Sequence, residues 1–181
     1  MESFRGKLLL ATPELMDSNF HRSVVLVIEH NNDGAIGVVL NRQTEITSAE
    51  VLPKWVFSSS SDSLLFWGGP VQQESLLALG LLNQDSEALQ NNMLNRITVI
   101  DLNQEIIDSE LFTSARLYSG YSGWSPGQLN AEISSGGWIV AEANDNDPFV
   151  DQPTDLWSEV LERQEGFISR LAQYPDDPRM N

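Results

Sequence analysis

The residues with the most obvious chemical promise are Gly123-Trp124-Ser125-Pro126-Gly127, which match G-x-S-x-G between an expected strand and an expected helix. That is the setting of a nucleophile elbow, in which a serine attacks an acyl carbon and the following backbone N–H stabilises the oxyanion. Here the following residue is Pro126, which has no N–H. Both histidines, His21 and His30, precede Ser125, so the Ser…Asp…His order of that fold is missing. A simpler role suits the segment: Ser125 as a helix N-cap, Pro126 at the first helical position and Gln128 at the third. From that start Leu129 and Ile133 share one helix face, and Gln128 and Glu132 share the neighbouring one.

A second constellation lies upstream. His30 ends an apolar segment, and Arg22, Asn41 and Arg42 fall at the opposite end of the same expected hairpin. Polar groups at strand and helix ends must be paired or exposed. Aromatics that flank glycines, such as Tyr121 and Trp124, make good ligand walls. The candidate binding surface is therefore Arg22, His30, Asn41, Arg42, Tyr121, Trp124, Gln128 and Glu132. His30 also has a plainer role, as a polar group closing the hairpin.

Other chemistries find little support. Two histidines nine positions apart give no helical pair of ligands, and no cysteine supplies a thiolate. Asp145, Asp147 and Asp151 resemble a calcium loop only loosely, without its glycine or distal glutamate. No Gly-Lys-Ser/Thr exists for a phosphate loop. Gly68-Gly69-Pro70 reads as a turn. No cofactor and no metal are expected.

The elements that must position these residues begin with a strand at Gly6–Ala11. Val24-Val25-Leu26-Val27-Ile28 is apolar without alternation, which suits a strand buried on both faces. Asn31-Asn32-Asp33-Gly34 turns the chain into a partner strand, Ala35–Asn41, whose Gly37 signals a bulge or close backbone approach. Thr47 and Glu50 have capping-box spacing for a short helix reaching about Trp55, disturbed by Pro53. Ser58–Asp62 is a polar loop. Strands follow at Leu64–Trp67, Leu76–Leu82, Ile97–Leu102, Ala115–Tyr121 and Trp138–Ala141. Gln104–Phe112 reads as helical. Thr154 opens an amphipathic helix carrying Leu156, Trp157, Val160 and Leu161, which Phe167, Ile168 and Leu171 continue past Gly166. Strands dominate without a βαβ rhythm, so the class is α+β, in a single domain spanning residues 1–181.

Ten basic and 26 acidic residues give a net charge of −16. Residues 1–42 carry only −1 of it, which directs any anion site towards Arg5, Lys7, Arg22 and Arg42. Such a surface repels nucleic acid, so no nucleic-acid partner is expected. Zero cysteines fit a reducing cytoplasm. No apolar run approaches the roughly 20 residues that span a bilayer, so no membrane partner is expected either. The N-terminus is too polar for a signal peptide.

Several blocks, in order, resemble the YqgE/AlgH family: Leu8-Leu9-Leu10-Ala11-Thr12-Pro13, Arg22-Ser23-Val24-Val25, Glu29-His30, Val39-Leu40-Asn41-Arg42, Gly68-Gly69-Pro70-Val71, Gly120-Tyr121-Ser122-Gly123-Trp124, Gly127-Gln128-Leu129 with Glu132 and Trp138, and Leu156-Trp157. The match covers about residues 4–165, and residues 167–181 form a divergent C-terminal helix and tail. The resemblance implies mixed, largely antiparallel strands wrapped into a pseudo-barrel with flanking helices. It brings no catalytic residues, and through the AlgH name a link to transcriptional regulation of alginate synthesis. The residues themselves favour a non-enzymatic binding or regulatory domain acting through a protein partner or small ligand rather than DNA. The rival is an enzyme using carboxylate–histidine acid–base chemistry, which requires Glu132 or Glu29 within hydrogen-bond reach of His30 or Arg22.

Overall fold

A computed structural model describes residues 2–57, 63–84 and 94–176. The loop expected at Ser58–Asp62 lies outside the described residues. Nine strands form one mixed sheet: β1 (Lys7–Ala11), β2 (Val24–Asn31), β3 (Gly34–Val39), β4 (Gln43–Thr47), β5 (Leu64–Trp67), β6 (Val71–Leu82), β7 (Ile97–Val99), β8 (Phe112–Trp124) and β9 (Trp138–Glu142). Among the described residues four short α-helices accompany them: α1 (Ser48–Val51), α2 (Gln128–Ser134), α3 (Leu156–Glu162) and α4 (Phe167–Arg170). The strand order is β4-β5-β8-β3-β2-β1-β9, with β6 beside β8 and β7 beside β6. All pairings are antiparallel except β5 with β8. The α+β class holds. The path is open from β4 to β9, so the strands do not close into a barrel.

The unbroken apolar runs explain why this sheet is covered on both sides. Leu8 and Leu10 of β1, with Val24, Leu26 and Ile28 of β2, enter one core cluster. Their neighbours Leu9, Ala11, Val25 and Val27 enter another on the opposite face. Successive side chains of a strand point to opposite faces, so both faces must be roofed. Trp157, Val160 and Leu161 of α3 roof the first cluster, and Leu129 of α2 roofs the second. Among the described residues no helix is long and apolar enough to cross a membrane.

Backbone crowding marks the centre. Gly37 of β3 faces the Leu26 carbonyl, where an added Cβ would sit 2.7 Å away. The register of β2 on β3 shifts nearby, between Val27 and Glu29. Gly68 and Gly69, expected as a plain turn, press against the β8 backbone at Gly120 and Tyr121.

Several boundaries differ from the sequence expectation. α1 stops at Val51, before Pro53, because the residue ahead of a proline is pushed out of helical geometry. Its capping box forms as expected, and the Thr47 hydroxyl and backbone N–H hold the Glu50 carboxyl below its ordinary range. Gln104–Phe112 is not a helix. Only Ser109–Leu111 makes a single 3-10 turn, capped by Asp108, and Phe112 already starts β8. The C-terminal stripe does not continue as one helix either: α3 ends at Glu162, Gly166 takes φ 69°, and Phe167 is 72% exposed.

Gly120 and Gly127 separate two costs. Both have positive φ, 68° and 74°. A Cβ on Gly120 would lie 2.6 Å from the Gly69 carbonyl, whereas one on Gly127 would meet nothing within 4 Å. Gly127→Ala is expected to cost about 1–2 kcal/mol for the left-handed backbone alone. Gly120→Ala adds a packing clash of about 1–3 kcal/mol. Equal shifts of the two urea midpoints would contradict this account.

Candidate functional site

α2 is anchored through one carboxylate. Glu132 Oε2 accepts the indole N–H of Trp124 at 2.9 Å and that of Trp138 at 2.9 Å. Glu132 Oε1 accepts the Gln128 side-chain amide at 2.9 Å. Gln128 Oε1 in turn accepts the Ser125 backbone N–H at 3.0 Å and its hydroxyl at 2.9 Å. The helical spacing of Gln128 and Glu132 makes the first link possible. Buried indoles need an acceptor, and here one residue serves the end of β8 and the start of β9 together. Ser125 is not the assigned N-cap. Gly127 is, and α2 begins at Gln128. Ser125 instead starts a tight turn in which its carbonyl accepts the Gln128 N–H at 3.0 Å.

Around this hub lies a cleft of about 320 Å³ lined by Leu15, Asp17, Phe20, Gly123, Trp124, Gln128, Glu132, Ser135, Gly137 and Trp138. The rings of Trp124 and Trp138 meet edge to face at 6.1 Å and 76°, and Phe20 meets Trp138 at 5.5 Å and 75°. The outer wall is the loop between β1 and β2. Thr12 fastens its start, its backbone N–H donating to Gly137 and its hydroxyl to Gly136. An Asx turn follows, with Asp17 Oδ1 accepting the Asn19 N–H at 2.8 Å.

Three of the eight candidate residues, Trp124, Gln128 and Glu132, therefore share a site. The other five serve elsewhere. Asn41 is a clamp: its Oδ1 accepts the Val24 N–H and its Nδ2 donates to the Arg22 carbonyl, both at 2.9 Å. Arg42 donates to the His21 carbonyl at 2.9 Å and lies 6.0 Å over the Trp67 ring. Burial pushes its guanidinium pKa down. It lines a separate, polar cleft of about 370 Å³ with Ser18, Asn19, Gln43, Trp67 and Gln73. Arg22, at φ 53°, holds the C-terminal segment by its contact with the Tyr174 carbonyl, its 2.7 Å ion pair with Asp176 and its place 4.6 Å over the Trp157 ring. His30 is buried, stacked on Phe4 at 5.5 Å, and its Nδ1 accepts the Phe4 N–H at 3.0 Å. Its role is to tie the N-terminal segment to β2. Tyr121 packs at the rim of the first core cluster.

The four basic residues near the N-terminus do not converge on an anion. Arg5 donates to the Ile28 carbonyl and Lys7 pairs with Glu142, while Arg22 and Arg42 hold the partners just given. In the loose calcium pattern the buried carboxylate of Asp147 is instead held by an arginine nearer the surface: its two oxygens take Arg163, at 2.8 and 2.9 Å. Among the described residues no group of three potential ligands could hold a metal.

Two features escaped the sequence reading. That reading places Trp138 only at the start of a strand and does not single out Phe20, although an indole six residues past Glu132 is a donor in search of an acceptor. Arg116 is 1% exposed in the middle of β8 and donates to the Pro148 carbonyl at 2.7 Å and the Val150 carbonyl at 3.1 Å, with Phe66 4.1 Å beneath its guanidinium. Next to it, burial pushes the Tyr118 hydroxyl far above the usual phenol range.

An open mixed sheet roofed by short helices, with an aromatic cleft at the α2 anchor, defines the class. The sequence profile described as AlgH-like matches residues 8–169. A UPF0301 protein of Streptomyces coelicolor is 37% identical over 190 residues, which cover 100% of this chain and 97% of that one. One from Thermobifida fusca is 41% identical over 192 residues, covering 99% and 96%. A crystal structure from Corynebacterium diphtheriae superposes with a TM-score of 0.88 at 30% identity, over 96% of this chain and 94% of that chain. The solution structure of the AlgH protein from Pseudomonas aeruginosa, also UPF0301, gives 0.68 at 25% identity, over 97% and 98%. The chain belongs to the AlgH-like, UPF0301 family, whose function is uncharacterised.

The anchor sets a stability expectation. Glu132→Ala leaves two largely buried indole donors without their acceptor, and each such loss costs about 1–3 kcal/mol. Glu132→Gln keeps one acceptor oxygen and is expected to cost less than half as much. Urea midpoints of the two variants check the order.

Proposed function

We propose that this chain is a non-enzymatic binding domain whose working surface is the cleft between the β1–β2 loop, the end of β8 and α2. The observation that carries this is the Glu132 hub. It fixes two tryptophans and a glutamine around a concave, partly apolar space, the kind of preorganised wall that small-molecule sites use. Its volume sits at the low end of the range for ligand pockets, about 300–1,000 Å³.

An acid–base enzyme is less well supported. The carboxylate of Glu132 is committed to two indoles and an amide, while His30 accepts the Phe4 N–H and does not line the cleft. A regulatory role of the kind the AlgH name implies would run through the bound ligand or a protein partner and not through DNA, because a chain of −16 is repelled by phosphate. A cytoplasmic setting fits a chain without cysteine.

A thermal-shift screen against metabolites and nucleotides tests the reading. A ligand at 100 times its Kd stabilises by about 2.7 kcal/mol. The gain is expected to disappear in Glu132→Gln and to persist in His30→Ala, since His30 sits elsewhere. Loss in His30→Ala with retention in Glu132→Gln would move the site. Gel retardation of DNA that weakens with rising salt would restore direct DNA binding.

A further inference from the structure

The cleft shows a one-sided chemistry. Of its ten lining residues two are carboxylates, Asp17 and Glu132, and none is basic. The indole N–H groups, the natural donors for an anion, are already given to Glu132. An anion entering here meets two negative charges, and both tryptophan donors are occupied.

The acceptor side is incomplete in the opposite sense. A carboxylate offers about four lone-pair directions, two on each oxygen. Oε2 of Glu132 uses both of its own on the two indoles. Oε1 receives Gln128 alone among the described residues, which leaves one direction open. Asp17 is exposed on the facing loop, with its Oδ1 turned to the Asn19 N–H. Three aromatic rings complete the wall, and such rings attract a cation within about 6 Å of their centres.

Resting on the cleft as the binding surface, we infer that it takes a small organic cation, a primary ammonium or guanidinium compound with an apolar body, the charged head donating to Glu132 and the body lying against Phe20, Trp124 and Trp138. At about 320 Å³ the space suits a free small molecule better than a folded partner.

The test uses the full chain and an isosteric charge series: benzylamine, benzyl alcohol and benzoate at equal ionic strength. The readout is the indole N–H resonances of Trp124 and Trp138 in 15N–1H spectra, since those protons sit on Glu132. Benzylamine is expected to shift both saturably, with benzoate giving no shift. Glu132→Gln should weaken benzylamine by about tenfold or more, the loss of a charge-assisted contact. Asp17→Asn, which leaves the indole bonds in place, should weaken it by about threefold or more, the loss of a facing charge. Benzoate or benzyl alcohol binding as tightly as benzylamine would keep the cleft as a ligand site and overturn the cation. Unchanged benzylamine affinity in Asp17→Asn and Glu132→Gln would overturn it as well. A short peptide with one lysine binding much tighter than the free amine would overturn the small-molecule assignment. Indole resonances unmoved by all probes and by the hits of the metabolite screen would remove the cleft reading itself.

Discussion

Strand β8 must serve three neighbours at once, and the rest of the structure is arranged around that demand. Along its 13 residues it pairs antiparallel with β6, parallel with β5 and, at its last residues, antiparallel with β3. A strand has two hydrogen-bonding edges, so the three partners must divide its length, and the backbone must be approached closely where they change over. That change happens at Gly68, Gly69 and Gly120, positions where a Cβ would strike another main chain. β5 and β6 can reach the centre only because these side chains are missing.

The same strand delivers the site. Where β8 leaves β6 and passes to β3, its end carries Trp124 into the second core cluster, close to where β9 brings Trp138. α2 then has to cover both rings, and Glu132 is the residue that joins them. Packing and chemistry are thus not separable here. The contact that fixes the helix on the sheet is also the one that gives the cleft its charge and leaves it short of donors. Two arginines, Arg116 buried and Arg163 at the surface, follow a different rule. Arg116 is satisfied by main-chain carbonyls, and Arg163 by the buried carboxylate of Asp147. Both tie the segment around residues 144–150 to the body of the protein.

Much of the fold was legible because it rests on short-range signals. The continuous apolar residues of β1 and β2 announced two covered faces, Gly37 announced a close approach, and Thr47 with Glu50 announced a cap. The Gln128–Glu132 pair was legible for the same reason, since helical spacing alone places those side chains together. Where the reading failed, the cause was long-range. Ile106, Ile107 and Leu111 have helical spacing, yet the segment is drawn out because Phe112 must join β8 opposite Leu82. The eight candidates were grouped because all are polar or aromatic at the ends of elements. That criterion does not tell a ligand-facing group from a clamp such as Asn41, whose two side-chain bonds go to the main chain at the entry to β2. Arg116 was invisible because nothing local marks an arginine that ends beneath a loop thirty residues later in the chain.

The perpendicular pair of tryptophans has an optical consequence. Two indoles 6.1 Å apart and inclined by 76° are coupled chromophores held in a fixed chiral arrangement. Near-ultraviolet circular dichroism depends on such fixed aromatic packing and vanishes when it loosens. The molecule therefore carries a native spectroscopic gauge at its cleft. A change confined to the seating of α2 would alter the aromatic dichroism while leaving the strand signal of the far ultraviolet untouched.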